Sequence, residues 1–268
     1  MLMPELTDAK RAIVETGCAW IDENADALLG LLGDLVARPS LSGDEGTHDD
    51  ESTTVGCIWS FLNAHSDGLE LHAQPLPEAG DYRDEDRENV YAVLPGQGDG
   101  GFLATSHTDV VPPGTDDDWP GSDPWTMQEG SVKRVEAETV EVSVGDCVEQ
   151  RSIRDKMDRI WQLRGVDKVD ALFGRGVYDN KAAIVCLVGS LLGLDAALTD
   201  GDTALAGDVV HGHLVDEEYY QVGAKNMVGW SSGGDWLGDR YQSYDGWSAV
   251  VLEGSYGFVP VVGHRGLV

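Results

Sequence analysis

The sequence predicts an α/β domain built on a mainly parallel, twisted sheet flanked by helices. Short apolar runs with strand character alternate along the chain with longer stretches of helical spacing. Several of those runs stop at residues that can bind a metal or move a proton: His107, Glu217 with Glu218, and Glu253. Strands alternating with helices imply parallel pairing, so their carboxyl ends share one side, where open α/β sheets bind ligands.

In chain order, residues 8–18 and 19–37 have helical spacing, and the stripe Ala27-Leu-Leu-Gly-Leu-Leu-Gly-Asp-Leu-Val36 stops before Pro39. Ser40-Leu-Ser-Gly-Asp-Glu45 reads as loop. Ser52 to Ala64 is a second amphipathic segment, with Val55, Ile58, Trp59 and Leu62 on one side. Leu69 to Ala73 and Asn89 to Leu94 read as strands separated by an acidic turn around Gly80 to Asp86. A central strand, small and apolar from Gly101, ends at His107 and is stopped by Pro112-Pro-Gly114.

The turn-rich Asp116 to Trp125 follows. From Met127 to Asp170 valine alternates with charge, as in Val140-Glu-Val-Ser-Val144, with helical spacing around Arg154 to Leu163. Ala182 to Leu198 reads as a buried helix and Asp208 to Val215 as a core strand ending in Asp216-Glu-Glu218. Gly223 to Met227 opens a helix, and Ser248 to Leu252 is a strand ending at Glu253.

The chain carries 48 acidic residues against 18 basic ones, a formal net charge of −30. The acid runs along the whole length, which marks a surface property. Self-repulsion at this charge weakens a compact state in dilute buffer, and molar salt screens it to within about 3 Å. A high-salt cytoplasm is the expected setting, with nucleic acid and anionic membrane excluded as partners. Cys18, Cys57, Cys147 and Cys186 show no metal-binding spacing and read as small buried hydrophobes in a reducing compartment. No apolar stretch reaches about 18 residues and no leader pattern opens the chain.

Far-separated acids converging on one cleft would repel one another unless cations neutralised them. One His with several carboxylates and no Cys suits zinc, cobalt or manganese. Asp109 stands beside His107, where a carboxylate can fix the tautomer and aim the ring. In a chain this acidic, each carboxylate taken alone also reads as a solvated surface group.

Together the motifs make a stronger pattern. Ser106-His-Thr-Asp-Val-Val-Pro112, Trp119, Asp123-Pro-Trp125, Gly174-Arg-Gly-Val-Tyr-Asp-Asn-Lys181, Asp216-Glu-Glu218 with Gly223-Ala224, and Leu252-Glu-Gly254 resemble, in order, the motifs of the M20 metallopeptidases. That family includes acetylornithine deacetylase, succinyl-diaminopimelate desuccinylase, aminoacylase-1 and carboxypeptidase G2. The resemblance implies two zinc ions and hydrolysis of an N-acyl amino acid or a short peptide. It implies His107 and Glu253 as ligands of one ion, Asp179 as the bridge and Glu218 as a ligand of the other. Asp109 is then the orienting carboxylate and Glu217 the general base. Arg175 is expected to support its loop.

There are departures. Ala182 stands where the family has Gly, and Tyr219-Tyr220 where small residues are usual. The resemblance assigns residues 1–258 to an incomplete catalytic domain with an insertion at 127–170. It assigns residues 259–268 to the start of a lid, or dimerisation, domain, and a homodimer is expected only with that lid present. His211 and His213 read as strand histidines, and neither they nor His264 match the family's last ligand. The alternative reading is a truncated, inactive chain that keeps the fold as a binding protein.

Overall fold

The structure is a computed structural model that describes residues 6–76, 86–119, 121, 123–136, 138–152, 165–199, 204–230, 234–241 and 246–253. The expected helical spacing around Arg154, the acidic turn from Gly80 to Asp86 apart from Asp86 itself, His264 and the segment assigned to a lid lie outside them.

Three helices lead. Helix α1 (Asp8–Glu23) starts at Thr7, whose side chain accepts from the Lys10 N–H. Asn24 separates it from α2 (Ala25–Val36), which buries Leu28, Leu31, Leu32 and Leu35 at helical spacing. Helix α3 (Thr54–His65) is capped by Thr53, which accepts from the Gly56 N–H, and it buries Val55, Ile58 and Leu62. The long helix α4 (Ala182–Thr199) crosses α1 where Gly17 meets Gly193; a Cβ on Gly193 would stand 2.8 Å from the Gly17 carbonyl oxygen. Against the expectation that no apolar stretch reaches about 18 residues, Val177–Leu198 is apolar enough to span a membrane by length and composition. Here Ile184, Val188, Leu191 and Leu192 pack into the core, as in the central helix of an α/β domain.

The main sheet has the order β1-β2-β8-β3-β9, formed by β1 (Glu70–Pro75), β2 (Glu88–Leu94), β3 (Gly101–His107), β8 (Asp208–Leu214) and β9 (Trp247–Val251). Strand β2 is buried throughout, and its side chains alternate between two cores. Ala92 and Leu94 face α2, α3 and α4, while Tyr91 and Val93 meet Leu103, Val210, Leu214, Met227 and Leu237 on the other side. Burial of both faces explains why these runs read as continuously apolar. The expected α/β sheet flanked by helices is present. Parallel pairing occupies its β8-β3-β9 half, whereas β1 with β2 and β2 with β8 pair antiparallel. Strand β8, not β3, holds the centre.

A second, antiparallel sheet has the order β6-β5-β4-β7, from β4 (Gln128–Glu136), β5 (Thr139–Val144), β6 (Cys147–Ser152) and β7 (Lys168–Phe173). The valine–charge alternation is its one-faced signature: Val140, Val142 and Val144 are buried against Val132 and Phe173. Two short helices, α5 (Val222–Met227) and α6 (Trp236–Arg240), cover the second core.

One sequence expectation is corrected. All four cysteines are free, but only Cys57 is buried; Cys18, Cys147 and Cys186 are exposed. Cys18 falls on the outward face of α1 and Cys147 opens β6, at the edge of the small sheet, so composition misjudged their faces.

Candidate metal centre

Parallel register brings three strand ends level. His107, the last residue of β3, sits opposite Leu214 of β8, and Thr105 sits opposite Val251 of β9. The Thr108 N–H donates to the Leu214 carbonyl and the Leu252 N–H to the Thr105 carbonyl, both at 2.8 Å, so the pairing runs on into the loops. Glu217 and Glu218 follow β8, and Glu253 follows β9.

Asp179 arrives on an irregular turn, Val177–Lys181, that enters α4. Gly176 opens this turn at φ 80, a left-handed conformation that favours glycine, and a Cβ there would stand 2.7 Å from Val110. Asn180 fastens the turn to the end of β9, its amide donating to the Leu252 carbonyl at 2.7 Å. The Asp179–Asn180 peptide is cis. Behind the turn, Lys181 is buried and donates to the carbonyls of Leu35 at 2.6 Å and Arg38 at 2.8 Å, where α2 ends.

All six predicted site residues meet. His107 Nδ1 lies 3.0 Å from the Asp109 carbonyl oxygen and 3.4 Å from its carboxylate, which turns Nε2 the other way. Nε2 lies 3.0 Å from Asp179 Oδ1 and 3.7 Å from Glu253 Oε2. Two donor groups result, His107 with Asp179 and Glu218, and His107 with Glu217 and Glu253. Within each, the potential ligand atoms lie within 4.8 Å of one another. His107 is 2% exposed, which separates this cluster from ordinary surface acid.

Asp109 organises the acidic turn as well as the ring. Its fully buried carboxylate accepts from Ser42 Oγ at 2.5 Å, the Glu217 N–H at 2.8 Å and the Glu218 N–H at 3.0 Å. A second buried carboxylate, Glu45, accepts from the Asp216 N–H at 2.9 Å and the Gly43 N–H at 2.6 Å. Ser42, Glu45 and Asn180 escaped the sequence reading. Ser42 and Glu45 sit in a stretch with loop composition that nothing in their spacing marks, and Asn180 stands inside the Gly174–Lys181 motif without a role assigned to it there.

The charges are strained in the way a cation would relieve. Burial, then the neighbouring Asp179 charge, pushes Glu218 up to about 7, and burial also raises Glu217. Burial alone would lower His107, but hydrogen bonds to Asp109, Asp179 and Glu253 prevail and lift it to about 12. Asp109 is held below its ordinary value: burial opposes this, but the bonds from His107 and Ser42 outweigh it. Burial lowers His211 to about 4 and His213 to about 3, and both lie inside β8 away from the cluster.

No family model matches the sequence, and no curated protein does. Solved structures do. The di-peptidase Dug1p from Saccharomyces cerevisiae superposes with a TM-score of 0.54 at 11% identity, over 90% of this chain and 41% of its own. Human carnosine dipeptidase 1 gives a TM-score of 0.53 at 14% identity, over 93% of this chain and 42% of its own. The chain shares its fold with these two dipeptidases. At these identities the likeness is one of fold and favours no subgroup. The chain spans about two fifths of the length of either dipeptidase.

Within that fold the donor chemistry fits a divalent cation. One imidazole nitrogen is freed by the Asp109 bond to the other, and carboxylates surround it, a set that zinc, cobalt or manganese accepts.

Proposed function

We propose that the chain is a metal-dependent amide hydrolase of the M20 type, acting on N-acyl amino acids or short peptides. The observation that carries this is the convergence of His107, Asp179, Glu218 and Glu253 from four separate segments onto one end of the main sheet. In this reading His107, Asp179, Glu218 and Glu253 would hold two zinc ions; cobalt or manganese can substitute. When bound, the ions supply Lewis acidity, acidifying a water and offsetting negative charge on the scissile carbonyl oxygen.

The chain's own groups do the rest. Glu217 takes the proton of the attacking water and returns it to the leaving amine. Its pKa, raised by burial, suits a group that must hold a proton between the two steps. Asp109 fixes the His107 ring through Nδ1 and, through two backbone N–H groups, the positions of Glu217 and Glu218. The same proposal includes a high-salt cytoplasmic setting and excludes nucleic acid and anionic membrane as partners, on the net charge of −30.

The test is metal content of the purified chain in molar KCl, beside hydrolysis of N-acetyl amino acids and dipeptides. The proposal expects bound dication that His107→Ala loses. A chain that takes up no zinc, cobalt or manganese overturns it.

A further inference from the structure

We infer that a pocket beside the metal centre, with Arg175 as its binding group, is a subsite for a substrate carboxylate; as a statement about substrate this rests on the hydrolase reading above. The pocket has a volume of about 340 Å³, and its apolar walls are Pro113, Trp119, Val142 and Phe173. Two walls continue from segments of the centre itself. Pro113 follows shortly after Asp109, and Arg175 shortly precedes Asp179.

With 48 acids for 18 bases, every arginine has carboxylates to spare, yet Arg175 forms no ion pair among the described residues. Its guanidinium lies over the Trp119 ring, 4.8 Å from the centroid, and Nη2 donates to the Pro112 carbonyl at 3.3 Å. Its Nε is buried with no hydrogen-bond partner. The charges it feels are Glu218 and Asp179, both in the donor cluster.

The other basic wall, Arg151, is already held by Glu149 at 2.8 Å. The acid on the lining, Asp118, is turned to the Thr115 N–H and hydroxyl at 3.2 and 2.9 Å. A guanidinium set over an indole, whose Nη1 makes no hydrogen bond among the described residues, can offer its charge to a planar carboxylate, and the apolar walls suit the short carbon chain carrying it. The sequence reading had given Arg175 a supporting role alone. The carboxylate can be the α-carboxylate of an N-acyl amino acid or that of an acidic side chain.

The experiment uses chelator-treated chain, so that metal cannot hold the ligand, at the lowest KCl that keeps it folded. Glutarate is titrated in by calorimetry while the Trp119 indole N–H resonance, assigned with Trp119→Phe, is followed. The resonance should shift saturably. Arg175→Gln should weaken binding about tenfold or more, since bonds between charged partners are the strong ones. Arg151→Gln should change it much less. Should Arg175→Gln fail to fold, the wild-type comparison of glutarate with neutral glutaramide decides.

Binding of N-acetylisoglutamine over N-acetylglutamine assigns the pocket to the side-chain carboxylate, and the reverse assigns it to the α-carboxylate. An unmoved Trp119 resonance, equal binding of glutaramide, or unchanged affinity in a folded Arg175→Gln overturns the subsite. If the chain binds glutarate through Arg175 but takes up no metal, the subsite stands and the hydrolase reading falls. If it takes up metal but shows no Arg175-dependent binding, the subsite falls alone.

Discussion

The Asp109 carboxylate accepts the backbone N–H of Glu218 at 3.0 Å, so the residue that fixes the His107 ring also fixes the acidic turn. A carboxylate can do this because it only accepts: Ser42 Oγ, the Glu217 N–H and the Glu218 N–H all point donors at it. Asp109→Asn turns one arm into a donor facing donors in a fully buried site. The variant should lose about 1–3 kcal/mol of stability, the cost of a buried unsatisfied group. Metal affinity should fall about 10–100-fold, as for other outer partners of ligating histidines. Chemical denaturation and metal titration of the same sample check both.

The two glutamates of the turn should separate by readout. Glu217→Ala should keep its metal while losing about 10²–10⁴-fold in turnover, the usual contribution of a general base. Glu218→Ala should lose metal instead, and His107→Ala should lose it at the other position. Metal stoichiometry measured beside turnover decides. Metal released by Glu217→Ala while Glu218→Ala stays loaded and active would reverse the assignment.

Much of this candidate site was legible because most of its donor residues stand at a boundary that chemistry marks. The apolar run of β3 ends in His107 before Pro112 and Pro113, and β8 and β9 each run from apolar residues straight into acid. Pairing direction was not legible on the β1-β2-β8 side. Asn89 to Leu94 is apolar on both faces, and a strand buried on both faces has the same pattern whichever way its neighbours run. Ser42 and Glu45 were invisible for a different reason. Their loop is carried inward by the pairing of Leu41 with Val110, a contact between distant segments that no local spacing encodes.

Glu45 gives a pH dependence of definite sign. Burial, and then the charge of Asp109, raises it from the ordinary carboxylate value to about 8. The folded chain therefore holds this proton more tightly than the unfolded chain, and the associated stability is complete below about 4.5 and lost as pH rises through 8. Glu45→Gln removes the titration and adds a constant cost, because its amide nitrogen must face a backbone N–H. The variant should lie below wild type in melting midpoint at pH 6 and close the gap by pH 9. A gap that widens with pH would reverse the sign.

The net charge of −30 should make folding salt-dependent. At about 0.01 M salt the screening length is roughly 30 Å, so acids across the whole molecule repel, whereas at about 1 M it is roughly 3 Å. The melting midpoint should rise from dilute buffer to molar KCl. An equal or lower midpoint in high salt counts against the high-salt setting.

Lys181 ties the turn that carries Asp179 to the helical layer. Its ammonium is fully buried and donates to the Leu35 and Arg38 carbonyls, where α2 ends and its last carbonyls run short of helical partners. Burial lowers it to about 7, so at neutral pH the site is poised between a charged and a neutral donor. Lys181→Met keeps the length and apolar stem but takes the ammonium from both carbonyls: Leu35 keeps the Arg38 N–H at 3.2 Å, and the Arg38 carbonyl loses its hydrogen bond. About 1–3 kcal/mol of stability should be lost on that ground alone. Asp179 and Asn180 immediately precede Lys181, so the loosened turn should also weaken metal binding. Lys181→Arg, which still donates, should recover part of each loss if its larger head is accommodated. Denaturation and metal titration of the two variants distinguish the roles: stability lost with metal affinity unchanged would make Lys181 a helix cap and nothing more.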